Sequence, residues 1–208
     1  MLISQDGATG LSAGLETRFN TITNELNSYI GTYSEEQNSI WRSVNATAFA
    51  GEINASITSI NTALSSLCSN INSKMSTIVA IQNNQEGTEL SWPTVDYTDV
   101  SKSVEVDPTF EGNAVGVVEG HNLSELKTPF QNIITQIEDN LTRMRESVNS
   151  NTMLSGDVKG AFDVYISNVE STLDTELEEL NKSFENRITS EEYSRISSKV
   201  AAAMTASE

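Results

Sequence analysis

The 208-residue chain contains one cysteine, Cys68, and one histidine, His121. Zinc and iron–sulfur sites take several thiolate or imidazole ligands, and a disulfide takes two thiols, so none of these can be built within the chain. A Cys–His nucleophile pair would have to be these two residues, and nothing in the sequence places them together. Cations are scarce: 12 Lys and Arg stand against 29 Asp and Glu, a net charge of −17. That balance argues against nucleic acid, whose binding rests on neutralised phosphates, and against docking on anionic lipid. No stretch approaches the roughly 18 apolar residues of a membrane span, and Met1–Asp6 has neither the basic nor the apolar part of a cleaved leader. Aromatic residues make up only 6% of the chain. Serine (28), threonine (21) and asparagine (20) are abundant instead, a third of the sequence. This composition points to an exported or filament-type protein, cytosolic before export and leaving without a cleaved leader.

Apolar residues recur at Leu11, Leu15, Phe19, Ile22, Leu26, Tyr29, Tyr33 and Ile40. Alternating spacings of four and three are the seam of one helix packed along another. A second stripe runs through Phe49, Ile53, Ile57, Ile60, Leu64, Leu67, Ile71, Met75 and Ile78, with Ser43 or Asn45 as its cap. The connection is short, so the two helices are expected to be antiparallel neighbours. Helical spacing returns at Leu126, Phe130, Ile134, Ile137, Leu141, Met144 and Val148, where Thr128 would cap and Pro129 take the first helical position. The last stripe is Val158, Phe162, Tyr165 or Ile166, Val169, Leu173, Leu177, Leu180, Phe184 and Ile188. Between the second and third stripes the pattern breaks. Residues 86–120 hold Pro93, Pro108, Gly87, Gly112, Gly116 and Gly120, and eight acids against Lys102 alone. This reads as a linker, with β-favouring pieces at 95–97 and 104–106 that could lie against a helix. The expected architecture is all-α: two long antiparallel helical hairpins, 1–86 and 123–208, forming a four-helix bundle and joined by an acidic linker over 87–122.

The halves resemble each other. A shift of 115 positions lays Leu11 to Tyr33 on Leu126 to Val148, apolar on apolar at seven places. A shift of 113 lays Phe49 on Phe162 and Ile53 on Ile166, and the turn Trp41-Arg42-Ser43 on Leu154-Ser155-Gly156. A tandem duplication is the expectation.

Little in the chain suggests catalysis. The carboxylate pairs Glu35/Glu36, Glu138/Asp139, Glu178/Glu179 and Glu191/Glu192 fall on expected solvent faces, away from the sheltered pockets that shift carboxyl pKa values. The stretch from Gly112 to Gly116 lacks the lysine and hydroxyl of a phosphate loop. Cys68 reads as a small packing residue. Asn-x-Ser/Thr triplets at Asn45, Asn54, Asn122, Asn140 and Asn181 are expected by chance at this composition. Trp41 has two readings: a plug at the open end of a helix pair, or an aromatic anchor presented to a partner at the hairpin tip.

On these residues the chain resembles the WXG-type family of small bacterial proteins exported by ESX, or type VII, secretion. Those are helical hairpins with Trp-x-Gly at the turn that pair as antiparallel four-helix dimers. Here Trp41 stands at the first turn, with Ser43 where the family has Gly; the second turn has Leu154 for the Trp and keeps Gly156. The family's export signal, Tyr followed four residues later by an acid, is not met, since Ser197 follows Tyr193 and Val169 follows Tyr165. The resemblance implies a non-enzymatic secreted or cell-surface protein without cofactor or metal. It acts through protein partners, either secretion machinery or a related helical protein, as a monomeric four-helix bundle or a homodimer. The implied partner-binding or turn motif is Trp41, Ser43, Phe49, Leu154, Gly156 and Phe162. Two other readings are a flagellin-like or virion structural component, and a cytosolic acidic coiled-coil adaptor or chaperone.

Overall fold

Alternating three- and four-residue apolar spacing buries one stripe of a helix, and helices form where it predicts them. The computed structural model describes residues 3–107, 116–152 and 154–205. It contains four α-helices: α1 (Gln5–Ile40), α2 (Val44–Glu86), α3 (Lys127–Asn149) and α4 (Gly156–Thr205). Among the described residues there is no strand, only one isolated antiparallel bridge between Trp41 and Val117. No helix among them is long and apolar enough to cross a membrane.

The helix ends differ in detail from the sequence expectation. α1 starts earlier, at Gln5, because Ser4 Oγ accepts the Gly7 N–H at 3.0 Å and Ala8 is already buried. Ser43, and not Asn45, caps α2, accepting the Ala46 N–H at 3.1 Å. The third helical segment is opened by Asn122. Its side chain and that of Glu125 form a reciprocal capping box on a short 3-10 turn, Leu123–Leu126, that leads into α3. Thr128 and Pro129 therefore sit inside the first turn of α3, where backbone N–H groups still lack partners and proline costs nothing. Two stripe positions also move: Ile30 is buried in place of Tyr29, and Val79 in place of Ile78; of the pair Tyr165 or Ile166, Ile166 is the buried one.

The protein divides into two compact units, each drawing on all four helices and on the connection between the halves. Unit 1 comprises Met1–Leu26, Ser59–Val100 and Thr135–Asp174; unit 2 comprises Asn27–Thr58, Ser101–Ile134 and Thr175–Glu208. In unit 1 the core holds Leu15 and Phe19 of α1, Leu67 and Met75 of α2, Leu141 and Met144 of α3, and Phe162 and Ile166 of α4, all buried. Polar ties surround it. Asn140 donates to Glu25 at 2.7 Å, Arg18 to Ser147 at 3.2 Å, and Arg145 pairs with Asp163 at 2.8 Å and Glu170 at 2.5 Å.

In unit 2 one ring from each helix meets in a cluster. Phe184 lies 4.3 Å from Phe130 and 5.2 Å from Phe49 between ring centroids, and Tyr33 lies 6.1 Å from Phe130. At its rim Glu52 accepts from Ser183 and Arg187. Burial would raise the Glu52 carboxyl, but these bonds and the Arg187 charge outweigh it and hold the group below its ordinary value.

Candidate functional site

The connection after α2 carries the least expected geometry. Gly87, at φ 65°, turns the chain back along the helix it has just left. In unit 1 the extended segment that follows is held by side chains of both α1 and α2. Asn83 accepts the Leu90 N–H and donates to the Leu90 carbonyl, both at 2.8 Å. Asn72 does the same for Val95, at 2.9 and 2.7 Å, and Asn61 for Val100, at 2.9 and 3.0 Å. From α1, Gln5 accepts the Ser91 N–H at 2.9 Å and donates to its carbonyl at 3.2 Å, and Thr23 donates to the Thr98 carbonyl at 2.7 Å. The segment runs antiparallel to α2 and parallel to α1.

The geometry follows from two repeats. In an extended backbone one residue's N–H and C=O point to the same edge, and the next residue's to the opposite edge. Leu90 is therefore read by α2 and Ser91 by α1. Asn61, Asn72 and Asn83 are 11 residues apart, about three turns, so they share one face of α2. Eleven helical residues rise about 16 Å at 1.5 Å each, and five extended residues span about 16 Å at 3.3 Å each. That match brings Leu90, Val95 and Val100 to successive carboxamides. A regular strand would present its opposite edge after five residues. Each interval therefore contains an irregular residue, and the valines never alternate as they would in a sheet.

Unit 2 uses the same device. Asn54 accepts the Val104 N–H at 2.8 Å and donates to its carbonyl at 3.0 Å. Ser34 Oγ accepts from Glu105 N–H at 3.0 Å, and Asn38 accepts from Asp107 N–H at 2.7 Å. Asn27 accepts the N–H groups of Ser101 and Lys102, at 2.9 and 2.8 Å. Val95, Val100 and Val104 are all buried. Both β-favouring pieces of the connection, 95–97 and 104–106, thus lie against helices, as the sequence allowed. Pro108, Gly112 and residues 113–115 fall outside the described residues.

Asn72 also accepts the Trp92 indole N–H at 2.9 Å. Asn72→Ala would remove the acceptor of the Val95 N–H and of the Trp92 indole N–H and leave the Val95 carbonyl only the Cys68 thiol, and each unsatisfied buried group costs about 1–3 kcal/mol. The expected loss is about 2–3 kcal/mol in urea unfolding, against less than about 0.5 kcal/mol for Thr77→Ala on the exposed face. A loss for Asn72→Ala as small as the Thr77 control would refute the clamp.

Tyr97 donates to Asn61 Oδ1 at 2.7 Å and packs 5.6 Å from Phe19. Burial, reinforced by the Asp99 carboxylate, pushes its phenol up to about 12. A folded pKa above the unfolded one means that this contribution to stability is intact below pH 10 and lost as pH climbs from 10 to 12. Burial pushes the Tyr33 phenol up as well. Tyr97→Phe should flatten the decline in stability between pH 10 and 12, measured by urea titration at each pH. An unchanged slope would contradict the assignment. Cys68 donates to the Val95 carbonyl at 3.2 Å, and burial, with Asp96 adding to it, raises its thiol. It packs beneath the segment, a poor nucleophile there.

The other constructed place is the first turn, in unit 2. Trp41 is fully buried, 6.3 Å from Phe49, and its indole N–H donates to Glu191 Oε1 at 3.3 Å. Asn45 donates to the other oxygen of the same carboxylate at 2.9 Å. Residues 116–118 cover the turn: Arg42 N–H donates to the Gly116 carbonyl at 3.1 Å, and Val118 N–H to the Ile40 carbonyl at 2.8 Å. A Cβ at Gly116 would stand 2.7 Å from Glu191 Oε1, so a side chain there would push the carboxylate from this position.

Trp41 is fully buried, in keeping with the first of its two readings, the plug. One expectation is corrected. Glu191, grouped by sequence with solvent-facing carboxylates, is 8% exposed and joins α4 to the turn. Ser43 and Phe49 are buried beside Trp41 in unit 2, whereas Leu154, Gly156 and Phe162 belong to unit 1. Leu154 and Phe162 are buried; Gly156 opens α4, and a side chain there would meet open space. Ser155 caps α4, accepting the Val158 N–H at 3.4 Å. The two caps are 112 positions apart, while the buried stripes of α2 and α4 match at 113.

Unit 2 also has a depression of about 320 Å³ lined by Lys127, Thr128, Gln131 and Asn181 around Phe130 and Phe184. Its charged pair, Lys127 and Glu185, is already joined at 2.9 Å. Among the described residues no three His, Cys, Asp or Glu side chains gather as a metal site.

Comparison of the chain with known protein families, curated proteins and solved structures finds no match in any of the three.

Proposed function

We propose that the protein is a non-enzymatic, exported helical protein of the WXG type, a type VII secretion substrate or co-exported partner that acts through protein–protein contacts. The observation that supports this reading is the first hairpin. Helices of 36 and 43 residues are joined by only three residues, with Trp41 sealing the turn. In this reading α3 and α4 supply in one chain the second hairpin that the family obtains from a partner, and the four helices form a tandem bundle.

The test is fractionation of the native host with and without its type VII membrane ATPase, using a lysis control. Extracellular protein that disappears without the ATPase is the expected result. Protein that stays cytosolic in both strains would replace this reading with the adaptor. Protein found outside in both would replace it with a filament or virion component. Trp41→Ala is unsuited to this test, because loss of a buried plug would abolish export through unfolding alone.

A further inference from the structure

The matched halves of the sequence differ at one place. In unit 1 the Val95 carbonyl accepts from Cys68 and Asn72, and Asn72 also accepts the Val95 N–H. Shifted by 113 positions, Cys68, Ile71 and Asn72 fall on Asn181, Phe184 and Glu185; shifted by 115, Leu15 and Glu16 fall on Phe130 and Gln131. All five counterparts line the depression of about 320 Å³ in unit 2, with Phe130 and Phe184 as its floor. The place that Val95 fills in unit 1 is thus a cavity in unit 2. The charge around it is reversed as well. Residues 88–100 carry Glu89, Asp96 and Asp99 and no cation, and the α2 stretch they cross, 62–79, carries Lys74 and no acid. The matching stretch of α4, 175–192, carries six acids against Lys182 and Arg187. An acidic segment like 88–100 would meet its own sign of charge there, whereas a basic one would meet the opposite sign.

We propose that this depression is a docking site for an extended, basic segment of another protein. Its backbone is held as Val95 is held in unit 1, with the two roles of Asn72 divided. Glu185 accepts the N–H of one residue, and the Asn181 amide donates to the carbonyl of the same residue. A carboxylate has about four acceptor positions, so Glu185 takes this N–H while keeping Lys127 at 2.9 Å. The next residue turns its N–H and carbonyl to α3, where the Gln131 amide can serve both, as Gln5 serves Ser91. A small apolar side chain fills the space over Phe130 and Phe184. Neighbouring lysines or arginines reach Glu178, which shares a flank of α4 with Asn181 and Glu185 at spacings of three and four. The Glu178 pair with Lys182 is exposed, and such pairs are weak, so an incoming cation can share that carboxylate. Main-chain bonds supply affinity in this mode and the side-chain pocket supplies selectivity. Docking of this kind is independent of export and stands or falls apart from the secretion reading.

The test uses the full chain and three labelled peptides: lysine alternating with threonine around one central valine, the same peptide with that valine N-methylated, and a version with glutamate for lysine. Fluorescence anisotropy at physiological salt is the measurement. The lysine peptide should bind at least about tenfold tighter than either of the others. Asn181→Leu and Glu185→Leu, neither at a buried position, should each weaken it about tenfold, the weight of one backbone bond to such a group. Glu185→Gln keeps an acceptor, and Glu138→Gln alters an exposed acid of unit 1; both should change binding less than about threefold. Binding that ignores N-methylation, or that falls as much for Glu138→Gln as for Asn181→Leu, is attraction to net charge alone and would overturn the proposal. So would no binding, equal binding of the glutamate peptide, or a peptide that turns helical when bound, seen in the infrared band of an isotope-labelled valine carbonyl. If Asn181→Leu loses helix content, Asn181→Ala replaces it, with the same outcomes deciding.

Discussion

Trp41→Ala is expected to lower the unfolding free energy by about 3–5 kcal/mol, the range for deleting a large buried aromatic. Two effects add. The indole is fully buried against Phe49, so its removal opens a cavity at the end of the α1–α2 pair. Its N–H also donates to the buried Glu191 carboxylate, and the alanine variant leaves Asn45 as the donor among the described residues. Trp41→Phe separates these effects: it fills much of the space but lacks the donor, and should cost about 1–3 kcal/mol, the penalty of an unmet buried acceptor. Denaturant unfolding of both variants, with unchanged m-values, is the measurement. A Trp41→Ala loss below about 1 kcal/mol would mean that the turn does not depend on its plug.

Phe184→Ala should be about as damaging, at about 3–5 kcal/mol. Phe184 is the ring shared by the closest contacts of the unit 2 cluster, with Phe130 at 4.3 Å and Phe49 at 5.2 Å. Phe184→Leu keeps most of the volume and should lose less than about 1.5 kcal/mol. A double-mutant cycle between Phe49 and Phe184 should return a coupling of about 0.5–1.5 kcal/mol, the value of an aromatic pair beyond its buried area. Additive losses would show that the two rings fill space without interacting.

The helices were legible because their signal is a period. Heptad-like stripes at Leu11 to Ile40 and Phe49 to Met75 placed α1 and α2 nearly to their ends. The segment at 90–107 was only half legible. Its valines are spaced by five and four, and no sheet strand repeats so, because its backbone is bonded by helix side chains and not by a neighbouring strand. The matching signal lay in α2. Asn54, Asn61, Asn72 and Asn83 each directly follow a buried residue: Ile53, Ile60, Ile71 and Gln82. That places the four amides on one flank of the core stripe, at separations of 7, 11 and 11. Read singly, each was one polar residue among many in a chain rich in asparagine. Glu191 was hidden for another reason. Whether an acid at a helix flank meets water or a turn from elsewhere depends on contacts that no local pattern encodes.

A groove lined with amides differs from one lined with ions in what it senses. Carboxamides do not titrate, and their bonds are not screened by salt as ion pairs are. High salt should therefore loosen the ion pairs of Arg145 while leaving the segment docked, so this part of the fold is insensitive to ionic strength. The corresponding weakness is chemical ageing. Hydrolysis of one such amide to aspartate removes the donor that grips a carbonyl and sets a negative charge against it.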